Sequence, residues 1–398
     1  GAAIAAYRQH EALRRAGVDS RMWVRHKSGA DAYVHQYVPP PDVDLRLKRV
    51  MRRYVLCMSQ EWYGPSAIFS DDRSAFWGHE CEAMPDAEIV NLHWAAGFVD
   101  LISLFQRLPH STPLVVTMHD MNPFTGGCHY SGECSRFTGQ CGFCPCLKRQ
   151  SRSDCSKSSW RRKALAYQSR ATNKLCFVAD SNWLATKARQ SSLLSERRVE
   201  MIHYGLDLTV FKPLDKHLAR TALGIDCAES IVAFAAADLS NPRKGMSYLV
   251  HALQPLQPRP FLLCWGQRLP DALGSFPHLH LGELASERLL ALAYNAADIC
   301  VVPSVEEAFG QTALESVACA RPVVAFNTGG LVDTVRHGVT GILAEKEDVE
   351  GLRHGITSLL KNAELRHRLG ENGRQFAEAA FSYELNAAKY IDVYKSVL

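Results

Sequence analysis

This chain of 398 residues has no apolar run near the roughly 20 residues that a bilayer-spanning helix needs. Nor does one sign of charge prevail: 45 Lys and Arg against 41 Asp and Glu leave a formal net charge of +4. That balance excludes a dedicated nucleic-acid binder. Internal repeats and low-complexity tracts are missing too, which excludes a solenoid and a disordered tail. There is no initiator Met and no signal peptide, so Gly1 reads as a processed or cut end, and the natural protein is expected to be longer.

What is present describes a globular protein. Hydrophobic residues make up 47% and charged residues 22%, and the length suits two domains better than one. Cysteine is abundant, at 13 residues. A large α/β enzyme seldom carries that many structural half-cystines, so a reducing cytosol is the expectation.

Strands and helices alternate along the chain. The segment 2–16 reads as a surface helix ending at Gly17, followed by a strand at Ser20–Arg25. Further strands are expected at Asp86–His93, Thr112–His119, Cys176–Ala179 and Arg198–Ile202, with a helix around Val99–Arg107. After a connector at Tyr204–Pro213 a second set follows: Ile231–Ala235, Phe261–Trp265, His278–Leu281, Ile299–Val302 and Val323–Ala325. Such alternation predicts doubly wound parallel sheets. The last segment, Tyr383–Leu398, is an amphipathic helix.

The densest signal is Ser304-Val-Glu-Glu-Ala-Phe-Gly-Gln-Thr-Ala-Leu-Glu315. It follows the strand Ile299–Val302, so Glu307 and Glu315 belong at the C-terminal edge of a sheet, where open α/β folds bind ligands. The helix start at Gly310, Gln311 and Thr312 offers N–H groups to a phosphate. Upstream, Arg243 and Lys244 follow the strand at Ile231–Ala235 and can supply a planar fork and a point charge to phosphate oxygens. A phosphate cradle flanked by carboxylates that grip hydroxyls suits a nucleotide sugar.

The Glu307-x7-Glu315 pair with Phe309-Gly310 between resembles the signature of the retaining glycosyltransferases of family four, which have the GT-B fold. Arg321-Pro-Val-Val-Ala-Phe-Asn-Thr-Gly-Gly330 with Asp333, Gly338 and Gly341 continues the pattern, and Asp238-Leu-Ser-Asn-Pro-Arg-Lys-Gly245 resembles the family's diphosphate clamp. The flavour is that of bacterial exopolysaccharide enzymes. The resemblance implies two Rossmann-like domains facing a central cleft: residues 1–205 on the acceptor side, 213–378 binding the nucleotide sugar, and a helix at 381–398 crossing back. It also implies that a first strand and Gly-rich turn precede Gly1, the remnant counted among the donor contacts.

On that resemblance Glu307 serves the sugar hydroxyls, helped by the N–H groups of Phe309 and Gly310, and Glu315 serves the ribose. Gln311 and Thr312 complete the diphosphate contacts. His119, after an apolar strand, approaches the donor sugar, and Asp120 beside it orients the His119 imidazole or binds acceptor. His93 and Trp94 face the acceptor, or Trp94 packs in the core. The family retains anomeric configuration, and no paired carboxylates stand out as in retaining glycosidases. Front-face attack is then implied, with the leaving phosphate oxygen taking the acceptor proton and no catalytic metal. Asp42-Val-Asp44 reads as a solvated Pro-rich loop instead of a metal site.

A second dense feature is Cys128-x5-Cys134-x6-Cys141-x2-Cys144, in a turn-rich insert at 126–155 with Cys146, Cys155 and His129 nearby. Four thiolates with one Cys-x2-Cys pair can enclose a structural zinc. An iron–sulfur cluster and disulfides are the alternatives.

Leu45-Arg-Leu-Lys-Arg-Val-Met-Arg-Arg-Tyr54 is a basic amphipathic stretch, and Trp160-Arg-Arg-Lys163 a second basic patch. They fit either a solvated face or an anionic membrane surface on the inner side of the plasma membrane. The expected activity is transfer of a hexosyl unit from a nucleotide diphosphate to a glycan or lipid-linked glycan. Two rivals stand beside it: a nucleotide-sugar epimerase or hydrolase of the same fold, and an inactive interaction protein of glycosyltransferase shape.

Overall fold

The structure, a computed structural model, describes residues 1–40, 47, 50–51, 68–74, 76, 78–148, 150–226 and 229–398. Asp42, Asp44 and most of the basic stretch 45–54 lie outside the described residues. The chain divides into two compact units, one of residues 2–203 with 387–398, the other of Gly1 with Tyr204–Asn386. Among the described residues no helix is long and apolar enough to cross a membrane.

The first unit holds a four-stranded parallel sheet in the order β3 (Val90–His93), β4 (Leu114–Met118), β5 (Leu175–Ala179), β6 (Arg198–Met201). β4 and β5 are buried along their whole length, as their unbroken apolar runs require. The expected strand at Ser20–Arg25 exists as β1 (Met22–Val24). It pairs with β2 (Val34–Gln36) in a separate two-stranded sheet, because no apolar run marks it for the core. Helix Leu101–Arg107 begins where Asp100 accepts the N–H of Ser103 as its N-cap, two residues later than the sequence predicts.

The second unit is a six-stranded parallel sheet ordered β12 (Gly341–Ala344), β11 (Val323–Phe326), β10 (Ile299–Val302), β7 (Ile231–Asp238), β8 (Phe261–Gln267), β9 (His278–His280). Side chains alternate between two cores. Ile231, Ala233, Leu263, Trp265, Cys300, Val302, Val323 and Ala325 join one. Val232, Phe234, Leu262, Cys264, Ile299, Val301, Val324 and Phe326 join the other. The period of two puts an apolar layer on each face, so both faces need helices. Helices Met246–Leu253 and Val349–Lys361 supply residues to one core, and Glu287–Ala296, Gln311–Ala318 and Ala363–Ala380 to the other. Strand β12 carries no such long apolar run, and sequence reading passed over it.

The C-terminal helix spans Tyr383–Val397. Its Tyr394 hydroxyl accepts from Asn91 at 2.8 Å, and its Tyr390 is buried.

Candidate active site

At the C-terminal edge of the six-stranded sheet, two loops are bound to each other. One follows β7 and carries Arg243 and Lys244 on a single tight turn, with the Asn241 side chain accepting from the Arg243 N–H at 3.0 Å. The other follows β10 and carries Glu307. The Val305 N–H donates to the Arg243 carbonyl at 2.9 Å. Gly245 makes the approach feasible: at φ 77° a Cβ there would lie 1.8 Å from the Pro303 carbonyl oxygen. Only a residue without a side chain fits.

This close approach sets the charges. Lys244 Nζ lies 2.5 Å and Arg243 Nη1 3.6 Å from Glu307 Oε2. Burial alone would raise the Glu307 pKa, but the two cations outweigh it and hold the carboxyl down at about 2. Glu307 is therefore a carboxylate throughout the neutral range. On Lys244, burial and the neighbouring Arg243 pull the pKa down against the opposing pull of Glu307. The three residues singled out in sequence are brought together.

The Gly329–Gly330 pair of the downstream motif explains how the Glu307 backbone is held. Gly330 N–H donates to the Glu307 carbonyl at 2.8 Å, and a Cβ on Gly329 would meet that same oxygen at 2.0 Å. Next along the chain, Phe309 is core: it packs edge-on to Tyr204, with ring centroids 4.9 Å apart. Only its backbone is left for a ligand. Gly310 turns left-handed at φ 96° and starts helix Gln311–Ala318 with no side-chain oxygen capping the first turn. That end concentrates positive dipole without a resident anion from its own cap. Ala313 and Leu314 N–H return to the Gly310 carbonyl. Gln311 and Thr312 are half-buried here, and Gln311 Nε2 donates to the Gly1 carbonyl at 3.1 Å.

Glu315 lies on the inner side of that helix, only 7% exposed. Its Oε2 accepts from the Tyr294 hydroxyl at 2.8 Å, and burial pushes the Tyr294 pKa well above its ordinary value. Tyr294 is in turn wedged edge-on to Trp265 at 4.8 Å. Sequence reading missed Tyr294. Its spacing within helix Glu287–Ala296 marks a core position, and nothing in the sequence points it at a carboxylate. Trp265 is buried in this packing.

In the first unit, residues after β3 and β4 form a second polar cluster. His93 Nδ1 and His119 Nε2 stand 2.9 Å apart. Burial lowers the His93 pKa to about 4, and burial with the neighbouring His93 lowers that of His119, so both rings are neutral near pH 7. Asp120 does not orient His119. It accepts from Trp94 Nε1 at 3.0 Å, from His129 Nδ1 at 2.9 Å and from the Asn122 N–H at 2.8 Å. Buried and surrounded by these donors, it organises neighbouring groups. Trp94 is 46% exposed and not a core residue.

The cysteines of the insert gather locally. Cys128, Cys134, Cys141 and Cys144 line one small cavity with Ser156 and Phe137. Cys146, outside the expected set of four, hydrogen-bonds to both Cys128 and Cys144 and so depresses their pKa values, while burial pushes Cys141 up to about 12. Among the described residues no three His, Cys, Asp or Glu side chains are grouped to hold a metal ion. None of the described cysteines forms a disulfide.

The basic patch expected at Trp160–Lys163 is largely engaged inside the first unit. Lys163 is buried and donates to the Asn122 and Thr125 carbonyls at 2.5 and 3.2 Å, and Arg162 pairs with Asp72 and Asp100. Trp160 packs against the core. Two of the run's three cations are thus engaged internally, by carbonyls just before the insert and by two carboxylates.

Residues 229–376, which contain Arg243, Lys244, Glu307 and Glu315, match the protein family described as Glycosyl transferases group 1. Over 164 residues the chain is 37% identical to a D-inositol 3-phosphate glycosyltransferase of Mycobacterium sp. (strain KMS), covering 38% of this chain and 37% of that protein. The chain thus spans less than half the length of the curated relatives it matches. Among solved structures, sucrose-phosphate synthase from Thermosynechococcus elongatus superposes with a TM-score of 0.68 at 21% identity, covering 99% of this chain and 93% of the other. Anabaena HepE in complex with UDP-glucose does so with 0.64 at 18% identity, covering 98% and 96%. The architecture, α/β with parallel sheets, is that of the GT-B glycosyltransferases.

Proposed function

We propose that this chain is a retaining glycosyltransferase that moves a hexosyl unit from a nucleoside-diphosphate sugar to a glycan or lipid-linked glycan during polysaccharide assembly. The observation that carries this reading is the joining of Lys244, Arg243 and Glu307 beside the open first turn of helix Gln311–Ala318. Breaking the bond at the anomeric carbon leaves a diphosphate with growing negative charge. Lys244, Arg243 and the helix start meet that charge with cations and amide dipoles, so the step needs no metal. Glu307, an obligate carboxylate, accepts from sugar hydroxyls. Glu315, fixed by Tyr294, accepts from the ribose.

Retention follows from front-face attack, in which the leaving phosphate oxygen takes the acceptor proton. His119 is assigned to the reacting sugar, and His93 and Trp94 to the acceptor, with Asp120 and His129 setting the indole. A solved complex of HepE with UDP-glucose makes UDP sugars the first donors to test. Leu47, Val50 and Met51, from the basic stretch near residue 50, are exposed, which supports peripheral attachment to an anionic bilayer from the cytoplasm.

The deciding experiment is a screen of UDP, GDP and ADP sugars for thermal shift, followed by product analysis with and without glycan acceptors. Transfer with the donor's anomeric configuration kept is expected. Conversion of the sugar with donor alone would establish an epimerase, and failure of every diphosphate sugar to bind would leave an interaction protein.

A further inference from the structure

Asp120 and His129, which set the Trp94 indole, also fall in line with Ser70, a residue with no part in the chemistry above. We propose that Ser70, His129 and Asp120 form a nucleophilic relay that hydrolyses carboxylic esters, with O-acylated sugars as the substrate class.

The direction of the hydrogen bonds carries the argument. As a carboxylate, Asp120 only accepts, and its Oδ2 lies 2.9 Å from His129 Nδ1. The imidazole proton therefore sits on Nδ1. Nε2 is left as a base, and it faces Ser70 Oγ at 2.8 Å. Ser70 must donate to it, which is the polarity that an activated serine requires. Trp94 Nε1 and the Asn122 N–H fix Asp120 from two further sides, at 3.0 and 2.8 Å.

The frame is rigid without the relay. Ser70 N–H donates to the Gly127 carbonyl at 2.8 Å and His129 N–H to the Ile68 carbonyl at 3.0 Å, bracketing a bridge between Phe69 and Cys128. Backbone bonds already fasten the two segments, so the side-chain line is not needed to hold them. Geometry fixed in this way is what a nucleophile and its base need.

Burial grades along the line. Asp120 and His129 are buried, and Ser70 at the outer end is partly exposed. Beside His129 stands the exposed indole of Trp94, the two ring centroids 5.7 Å apart. A flat apolar wall carrying no cation suits the C–H face of a sugar ring.

In the reaction Ser70 Oγ bonds to the ester carbonyl carbon and its proton passes to His129 Nε2. The carbonyl carbon–alkoxide bond breaks, and the leaving alkoxide takes that proton. Water then attacks the acyl-serine with the same base, releasing the carboxylic acid and restoring Ser70.

The test uses the whole chain, p-nitrophenyl acetate and glucose pentaacetate, with no nucleotide sugar present, so its failure leaves the transferase reading untouched. Wild type should release p-nitrophenol and acetate at a rate that Ser70→Ala lowers by at least roughly a hundredfold at an unchanged melting temperature. A fluorophosphonate should add its mass to the peptide containing Ser70 in wild type alone. Equal rates in wild type and Ser70→Ala, or no adduct on Ser70, would overturn the proposal.

Discussion

Lys244 Nζ lies 2.5 Å from Glu307 Oε2 although 63 positions separate the residues. The contact joins the loop after β7 to the loop after β10, on adjacent strands of one sheet. If the pair handles diphosphate and sugar hydroxyls, then Lys244→Ala and Glu307→Ala should each lower turnover at least roughly a hundredfold, as loss of a preorganised charge does. Initial rates with a UDP sugar at saturating donor check this. An unchanged rate in either variant removes the role assigned to that residue.

The same pair sets a pH dependence. Glu307 has its folded-state pKa lowered from 4.5 to about 2 by Lys244 and Arg243 acting against burial. On acidification the unfolded chain therefore protonates here first. The stabilisation is fully present above about 4.5 and is lost as pH falls toward about 2, on the order of 3 kcal/mol in all. Denaturant unfolding followed from about pH 6 to about pH 2 should show this slope in wild type. Glu307→Gln should flatten it, and an identical slope in both would remove the ion pair as its source.

Tyr294→Phe isolates the support of Glu315. The variant keeps the ring against Trp265 but removes the donor to Glu315 Oε2. Hydrogen bonds to charged groups contribute about 1.5–3 kcal/mol, so a stability loss of that size, seen as a lower melting temperature, is expected. If Glu315 holds the ribose, the donor Kd should also weaken severalfold while an acceptor titration is unaffected. Calorimetry with UDP alone distinguishes this from a purely structural loss, in which Kd would stay at the wild-type value.

Much of this was legible in the chain itself, because parallel strands buried on both faces write their positions as apolar runs. Strands β4, β5, β7, β8, β10 and β11 announce themselves so, and the turns after β4, β7 and β10 carry polar residues of the site. What stayed illegible depends on side chains meeting from distant segments. Asp120 reads as a partner for the adjacent His119, yet Trp94 and His129 claim it. Lys163 reads as surface charge in a basic run, yet it satisfies the Asn122 and Thr125 carbonyls. Tyr294 reads as core and is core, but its hydroxyl has a second employment. Burial can be inferred from periodicity, whereas the partner of a buried polar atom is a property of the assembled fold.

Glycine substitutions separate close approach from backbone strain. Gly224 and Gly245 share a left-handed backbone, at φ 67° and 77°, but a Cβ on Gly224 meets nothing within 4 Å, whereas one on Gly245 would strike the Pro303 carbonyl at 1.8 Å. Gly224→Ala should therefore cost only the strain of a left-handed alanine, about 1 kcal/mol, and leave donor binding intact. Gly245→Ala must push the Arg243–Lys244 turn away from the β10 edge. Its neighbouring cations then lose Glu307, and donor affinity should fall at least tenfold with a larger drop in melting temperature. Thermal melts and donor titration on the two variants side by side check the difference. Equal behaviour would mean that the turn tolerates displacement and that the Lys244–Glu307 contact does not depend on the missing side chain.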